Sequence, residues 1–275
     1  MNPLFSIIVV TLNPGEKLIE TFESIRRQTC RDYQVVVKDG GSKDNSLDML
    51  RQLLAEDVAL SERVRIVEKN DKSIYEGMNQ ATGEACGEYF YFLNCGDLFA
   101  HENALQEAAD GIRASRQAGE EALIFYGDIL DALRGQIVAS NPKIDDFACY
   151  RNVPCHQACI YHRSLFEGRG YNPEFKVRAD YEHFLWSYFC KNASPKYLRV
   201  ILASYEGGGF SETKENRIRS AEEHKAITEM YMTKGQIFKY KAILLLTLAP
   251  LRTKMAESPV FAKFYQAVKR FLYRR

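Results

Sequence analysis

Through the first hundred residues, strand-like and helix-like segments alternate, and this restricts the chain more than any other feature. Residues 5–12, Phe-Ser-Ile-Ile-Val-Val-Thr-Leu, form a β-branched run closed by Asn13-Pro14-Gly15, the pattern of a buried strand. Leu18, Phe22 and Ile25 then recur at helical spacing. A second strand is expected over 33–37. Leu47, Leu50, Leu53 and Leu54 mark a second helix, capped by Asp44 or Asn45. Residues 64–67 read as a third strand, 73–81 as a short helix and 89–93 as a fourth strand. Strands joined through helices run parallel, so the expectation is an α/β chain with helices on both faces of a mostly parallel sheet. Ligands of such sheets gather beyond the carboxyl ends of the strands. The polar residues at those ends are Asn13, Asp39, Asp71 and Asp97, and they are expected to face one crevice.

The second half is less regular. Strands are expected over 122–126, 136–140, 158–161 and 197–205, and helices over 180–190 and 211–231. With 275 residues, 46% of them hydrophobic, a large core can form. A net charge of about +1 argues against a broad basic face for nucleic acid. Charge is nevertheless uneven. Residues 236–275 carry nine basic side chains and one acidic, which leaves 28 basic against 35 acidic in residues 1–235. Seven scattered cysteines suit a reduced, cytoplasmic protein better than a disulfide scaffold. The N-terminus reads as lacking a secretory leader, and no apolar run approaches the roughly 18–20 residues that span a bilayer.

Two segments carry the chemistry of the first half. Val35-Val36-Val37-Lys38-Asp39-Gly40-Gly41-Ser42 places an acid and a glycine turn after a strand; Asp39 either accepts hydrogen bonds from a nucleoside or caps the turn. Tyr89-Phe90-Tyr91-Phe92-Leu93-Asn94-Cys95-Gly96-Asp97 places an acid just beyond a central strand. Asp97, with Asn94 as a neutral helper, suits a hard divalent cation that completes its shell with water and phosphate. The other reading of Asp97 is a plain turn residue.

Together with residues 6–13 and 71–81, these blocks resemble the nucleotide-sugar-binding half of glycosyltransferase family 2, inverting enzymes of GT-A fold, in their polysaccharide-building branch. The resemblance implies a nucleotide-diphospho-sugar donor, most often a UDP-sugar, and Mn2+ or Mg2+. It assigns Thr11, Asn13, Asp39, Asp71 and Asn79 to the donor pocket, with Asn94 beside them, and Asp97 to the metal. Two departures stand out: Lys38-Asp39 and Cys95-Gly96-Asp97 each offer one acid where many relatives carry two.

Arg178-Ala179-Asp180-Tyr181-Glu182 resembles the family's base block, which makes Asp180 the catalytic carboxylate and Glu182 a reserve; helix capping is the other reading of Asp180. His156 and Gln157 match His-Gln pairs that precede the base block, and are expected near the donor sugar or acceptor. Zinc at Cys155, His156, Cys159 and His162 is set aside, because all four fall on one expected strand with alternating sides. The Gln-x-x-Arg-Trp pattern of processive synthases is absent, which favours transfer of one sugar. Gly207-Gly208-Gly209-Phe210-Ser211 reads as a hinge or an active-site lid.

The resulting expectation is a GT-A domain over 1–210, split into a donor half (1–100) and an acceptor half (101–210), and a helical basic extension over 211–275. The tail either packs on the domain or lies on an anionic membrane, which would place the enzyme at the inner face of the cytoplasmic membrane, acting on a glycan or lipid-linked acceptor. The rival readings are a catalytically silent nucleotide-sugar-binding scaffold and a nucleotidyltransferase.

Overall fold

The structure, a computed structural model, describes residues 2–205 and 213–247. The glycine segment 207–211, and tail aromatics such as Phe261 and Tyr265, lie outside them. In chain order the first elements are β1 (Phe5–Thr11), α1 (Lys17–Arg26), β2 (Tyr33–Asp39), α2 (Ser46–Glu56), α3 (Val58–Ser61), β3 (Val64–Glu68), α4 (Ile74–Thr82) and β4 (Tyr89–Phe92). There follow β5 (Leu98–Phe99), α5 (Ala104–Gln117), β6 (Ile124–Asp131), β7 (Gln136–Val138), α6 (Asp146–Arg151), β8 (Cys159–His162), α7 (Ala179–Cys190), β9 (Pro195–Tyr205), α8 (Lys214–Tyr231) and α9 (Lys234–Leu246).

One nine-stranded sheet runs β3-β2-β1-β4-β8-β6-β9-β5, with β7 beside β6. The expected parallel block is present: β1 pairs in parallel with both β2 and β4, and β2 with β3. β8 enters antiparallel between β4 and β6, so the sheet is mixed. β1 is buried at every position, as its unbroken apolar run requires of a strand covered on both faces. Leu18, Phe22 and Ile25 of α1 are fully buried in the same core cluster as Phe5, Ile7 and Val9 of β1, each contributing roughly 1.5–3 kcal/mol.

Three elements escape simple periodicity. α5 buries alanines (Ala104, Ala108, Ala109) as much as Leu105 and Ile112, so its apolar face is small-sided. β5 has only two residues and α6 six. Residues 156–158 form a 3-10 turn where a strand had been the basis for rejecting zinc, and β8 begins at Cys159. Among the described residues no group of three or more His, Cys, Asp and Glu is placed to hold a metal. At α2, Asn45 occupies the cap position without a side-chain bond, while the Asp44 carboxylate accepts from the Ser46 and Gly15 N–H groups.

The chain divides into two compact units, Met1–Ile227 and Thr228–Arg275. The boundary falls inside α8. No described helix is long and apolar enough to cross a membrane.

Candidate active site

A cleft of about 920 Å3 opens beyond the carboxyl end of β4, inside the first unit. Asn94, Asp97, His156, Gln157 and Asp180 all line it. The two carboxylates expected to do the chemistry, from segments more than eighty residues apart, therefore share one cavity with the His-Gln pair.

Asp97 sits on a built turn. Gly96 takes a φ of 98°, which favours glycine, and lets the chain reverse directly after β4. The Gly96 N–H donates to the Thr21 hydroxyl (3.0 Å), and that hydroxyl donates to the Asp97 carbonyl (3.1 Å), so α1 clips the turn from below. Gln157 donates from Nε2 to Asp97 Oδ2 (2.9 Å). Its other amide atom, Oε1, accepts from the Cys155 thiol (2.9 Å). Burial pushes that thiol up to about 12, so it stays protonated and fixes which end of the amide faces Asp97. The Asn94 Oδ1 atom is buried without a hydrogen-bond partner. An unpaired oxygen acceptor and a carboxylate on one cleft wall fit a hard cation, with most of its shell left to water and phosphate.

Asp180 lies in the first turn of α7 and does not cap it. The cap position belongs to Arg178, and the Glu223 carboxylate of α8 accepts from the backbone N–H groups of Lys176, Val177 and Arg178 (2.8–3.0 Å). The Tyr75 hydroxyl lies 2.9 Å from Asp180 Oδ1 and 2.9 Å from the Val177 carbonyl. Burial, and then the Asp180 charge, push the Tyr75 phenol well above its usual 10, so it remains a donor shared between two acceptors. His156 packs its ring near Phe92 and Tyr171, with neither ring nitrogen hydrogen-bonded; burial lowers its pKa and keeps it neutral.

The donor-pocket set does not line this cleft. Thr11 is buried at the end of β1. Asn13 (φ 48°) accepts from the Lys43 N–H (2.7 Å). Asp39 accepts from the N–H groups of Gly41 and Ser42 (2.8 Å each) and from the Ser42 hydroxyl, and so holds the glycine turn. Lys38, fully buried, donates to Asp71 Oδ2 (2.7 Å) and to the Asp39 and Lys69 carbonyls. Asn13, Asp39, Asp71 and Lys38 thus form one bonded rim at the ends of β1 and β2, with the buried Thr11 beside it. Two of the expected residues are bonded to other parts of the chain. Asn79 commits both ends of its amide to the Tyr171 backbone (2.7 and 2.8 Å) and so anchors a loop. Glu182 is fully buried and meets Arg169 through both carboxylate oxygens (2.5 and 2.6 Å).

Tyr75, Thr21 and Arg178 matter to the site and were not assigned from sequence. Tyr75 and Arg178 lay inside blocks already singled out, and the i, i+3 pair Tyr75 and Met78 was a signal that one face of α4 meets the cleft. Thr21 carried no signal beyond a hydroxyl on a helix face otherwise apolar.

Comparison with known proteins gives concordant results. The model of the family described as Glycosyl transferase family 2 matches residues 6–131. A PGL/p-HBAD biosynthesis glycosyltransferase of Mycobacterium bovis is 34% identical over 213 residues, covering 77% of this chain and 80% of that protein. Among solved structures, the mannosyltransferase PcManGT of Pyrobaculum calidifontis, in complex with GDP-Man and Mn2+, superposes with a TM-score of 0.64 at 15% identity, covering 100% of this chain and 88% of that one. S. aureus TarS 1–349 in complex with UDP gives 0.61 at 20% identity, covering 74% and 60%.

Proposed function

This chain belongs to glycosyl transferase family 2, and from that membership we propose that it transfers one sugar, with inversion, from a nucleotide-diphospho-sugar to a glycan or lipid-linked acceptor in cell-surface polysaccharide assembly. Its fold is the GT-A α/β fold, with helices at the C-terminal end. The observation that carries the reading is the meeting of Asp97 and Asp180 in one cleft, where Gln157 donates to the first and Tyr75 to the second.

In the proposed reaction the acceptor hydroxyl oxygen attacks the anomeric carbon as the bond from that carbon to the diphosphate oxygen breaks. The leaving diphosphate keeps the electron pair, and Asp180 takes the hydroxyl proton. Tyr75 holds one carboxylate oxygen toward α4, which orients the group before the acceptor arrives. Asp97 and Asn94 would hold Mn2+ or Mg2+, which as a Lewis acid offsets charge on the departing nucleoside diphosphate. Thr11, Asn13, Asp39 and Asp71 shape the nucleotide end, and His156 and Gln157 face the sugars. A UDP-sugar is the first donor to test, since one structural neighbour was solved with UDP; another was solved with GDP-Man.

A panel of UDP-, GDP- and dTDP-sugars, assayed for manganese-stimulated binding and slow hydrolysis, tests this directly. One nucleotide class should be preferred, and Asp97→Ala should abolish the manganese stimulation while retaining metal-free nucleotide binding. A flat response across the panel would move the chain to the silent scaffold reading.

For localisation, we propose a peripheral position on an anionic membrane surface. Phe238, Leu245 and Leu246 recur at i, i+7 and i+8 along α9 and are 76%, 72% and 83% exposed, with Lys234, Lys239 and Lys241 exposed on the same helix. Truncation after Gly235 should lower affinity for vesicles rich in anionic lipid at least tenfold, and the triple change F238S/L245S/L246S should do much the same. Unchanged partitioning by both variants would refute the membrane role.

A further inference from the structure

Two arginines on the acceptor wall of the cleft have no part in the reaction described above. Arg178 is locked in place. Its Nε donates to the Ser220 carbonyl (3.0 Å) and hydroxyl (2.7 Å), and its guanidinium carbon stands 5.4 Å over the Tyr181 ring. The Tyr181 ring stacks in turn on His224 (5.2 Å, 18°), and its hydroxyl donates to the Cys149 carbonyl (2.7 Å). His224 contacts the Tyr150 carbonyl (2.9 Å). This network joins the end of α6, the start of α7 and the middle of α8 into one wall. Arg151 closes α6 on the same wall, exposed and lining the cleft.

Charge around the cleft does not balance at this wall. Arg134 pairs with Asp131 (2.6 Å). Arg151 has no hydrogen-bonding or ionic partner among the described residues, and Arg178 bonds through its side chain only to neutral Ser220. Asp180, two residues from Arg178, is drawn toward α4 by Tyr75, whereas Ser220 draws the guanidinium toward α8. The base and the cation diverge from one helical turn. A guanidinium with its plane fixed and its outer N–H groups uncommitted is a fork for phosphate or carboxylate oxygens.

We propose that Arg151 and Arg178 form an anion-binding subsite for the acceptor, so that the substrate class is an acceptor bearing a phosphate or carboxylate near the hydroxyl that reacts. The inference rests on the transferase reading given above. It makes these two residues determinants of acceptor choice, with Asp180 between the anion and the anomeric carbon.

Binding to the protein saturated with manganese and its preferred nucleoside diphosphate tests this, with inorganic pyrophosphate, glucuronate and glucose as probes. At least one anion should bind ten times more tightly than glucose, and R151Q/R178Q should abolish the advantage while nucleoside diphosphate affinity stays within twofold. Preference for pyrophosphate assigns a phosphate-linked acceptor, and preference for glucuronate a carboxylated glycan. Equal binding of anions and glucose overturns the proposal, as does an advantage that survives R151Q/R178Q. A fall in nucleotide affinity instead would assign the arginines to the donor. Absence of any nucleotide binding defeats the transferase reading itself, which separates the two failures.

Discussion

Asp180→Asn is expected to lower kcat by about 10²–10⁴-fold, the usual contribution of a positioned general base. The amide keeps the shape of the side chain and its contact with Tyr75 but cannot take the acceptor proton. Donor affinity should stay within twofold, because the nucleotide end of the site is built from other elements. Tyr75→Phe removes the hydroxyl that bonds Oδ1 and the Val177 carbonyl and should cost roughly ten- to a hundredfold in kcat, in line with about 1.5–3 kcal/mol for a hydrogen bond to a charged group. Its donor KM should not move, which separates a positioning role from general loosening of α4. Near-wild-type turnover by Asp180→Asn would remove the base assignment, and a Tyr75→Phe enzyme altered mainly in donor KM would place Tyr75 at the donor instead.

The parts of this architecture legible in the sequence are those where one physical requirement dominates. β1 is buried at every position, so its largely apolar run stands out. The place of Asp97 follows because residues after parallel strands converge. The roles of Asp39 and Asp71 were harder to read. An acid beyond a strand looks the same whether it awaits a ligand or already holds Gly41, Ser42 or Lys38. Asn79 and Glu182 show the same ambiguity at longer range: their partners, Tyr171 and Arg169, lie 92 and 13 residues away, and no local pattern announces either pair. Tyr75 is the sharpest case. It reaches Asp180 across 105 residues through one hydroxyl.

The second large effect concerns stability. Glu182 is wholly buried, and the Arg169 guanidinium meets it while standing 4.7 Å over the Trp186 ring, its own side chain 29% exposed. Removing one partner of a buried pair typically costs 3–5 kcal/mol, because the remaining charge loses its compensation in a poorly solvating interior. Arg169 reaches solvent, so Arg169→Met should fall near the lower end, about 3 kcal/mol, or roughly 6–12 °C in Tm for a unit of this size. Glu182→Gln should cost less, since the arginine it leaves behind can be hydrated. The double change R169M/E182L should recover most of the loss, because well-packed apolar residues commonly replace a buried ion pair without penalty. Thermal unfolding of the three variants, with donor affinity measured in parallel, decides the matter. If Glu182→Gln proved fully stable but catalytically dead, the interior role would fall and Glu182 would return as a base candidate. If the double variant were no better than Arg169→Met, the loss would lie in contacts of Arg169 with Trp186 rather than in the stranded carboxylate.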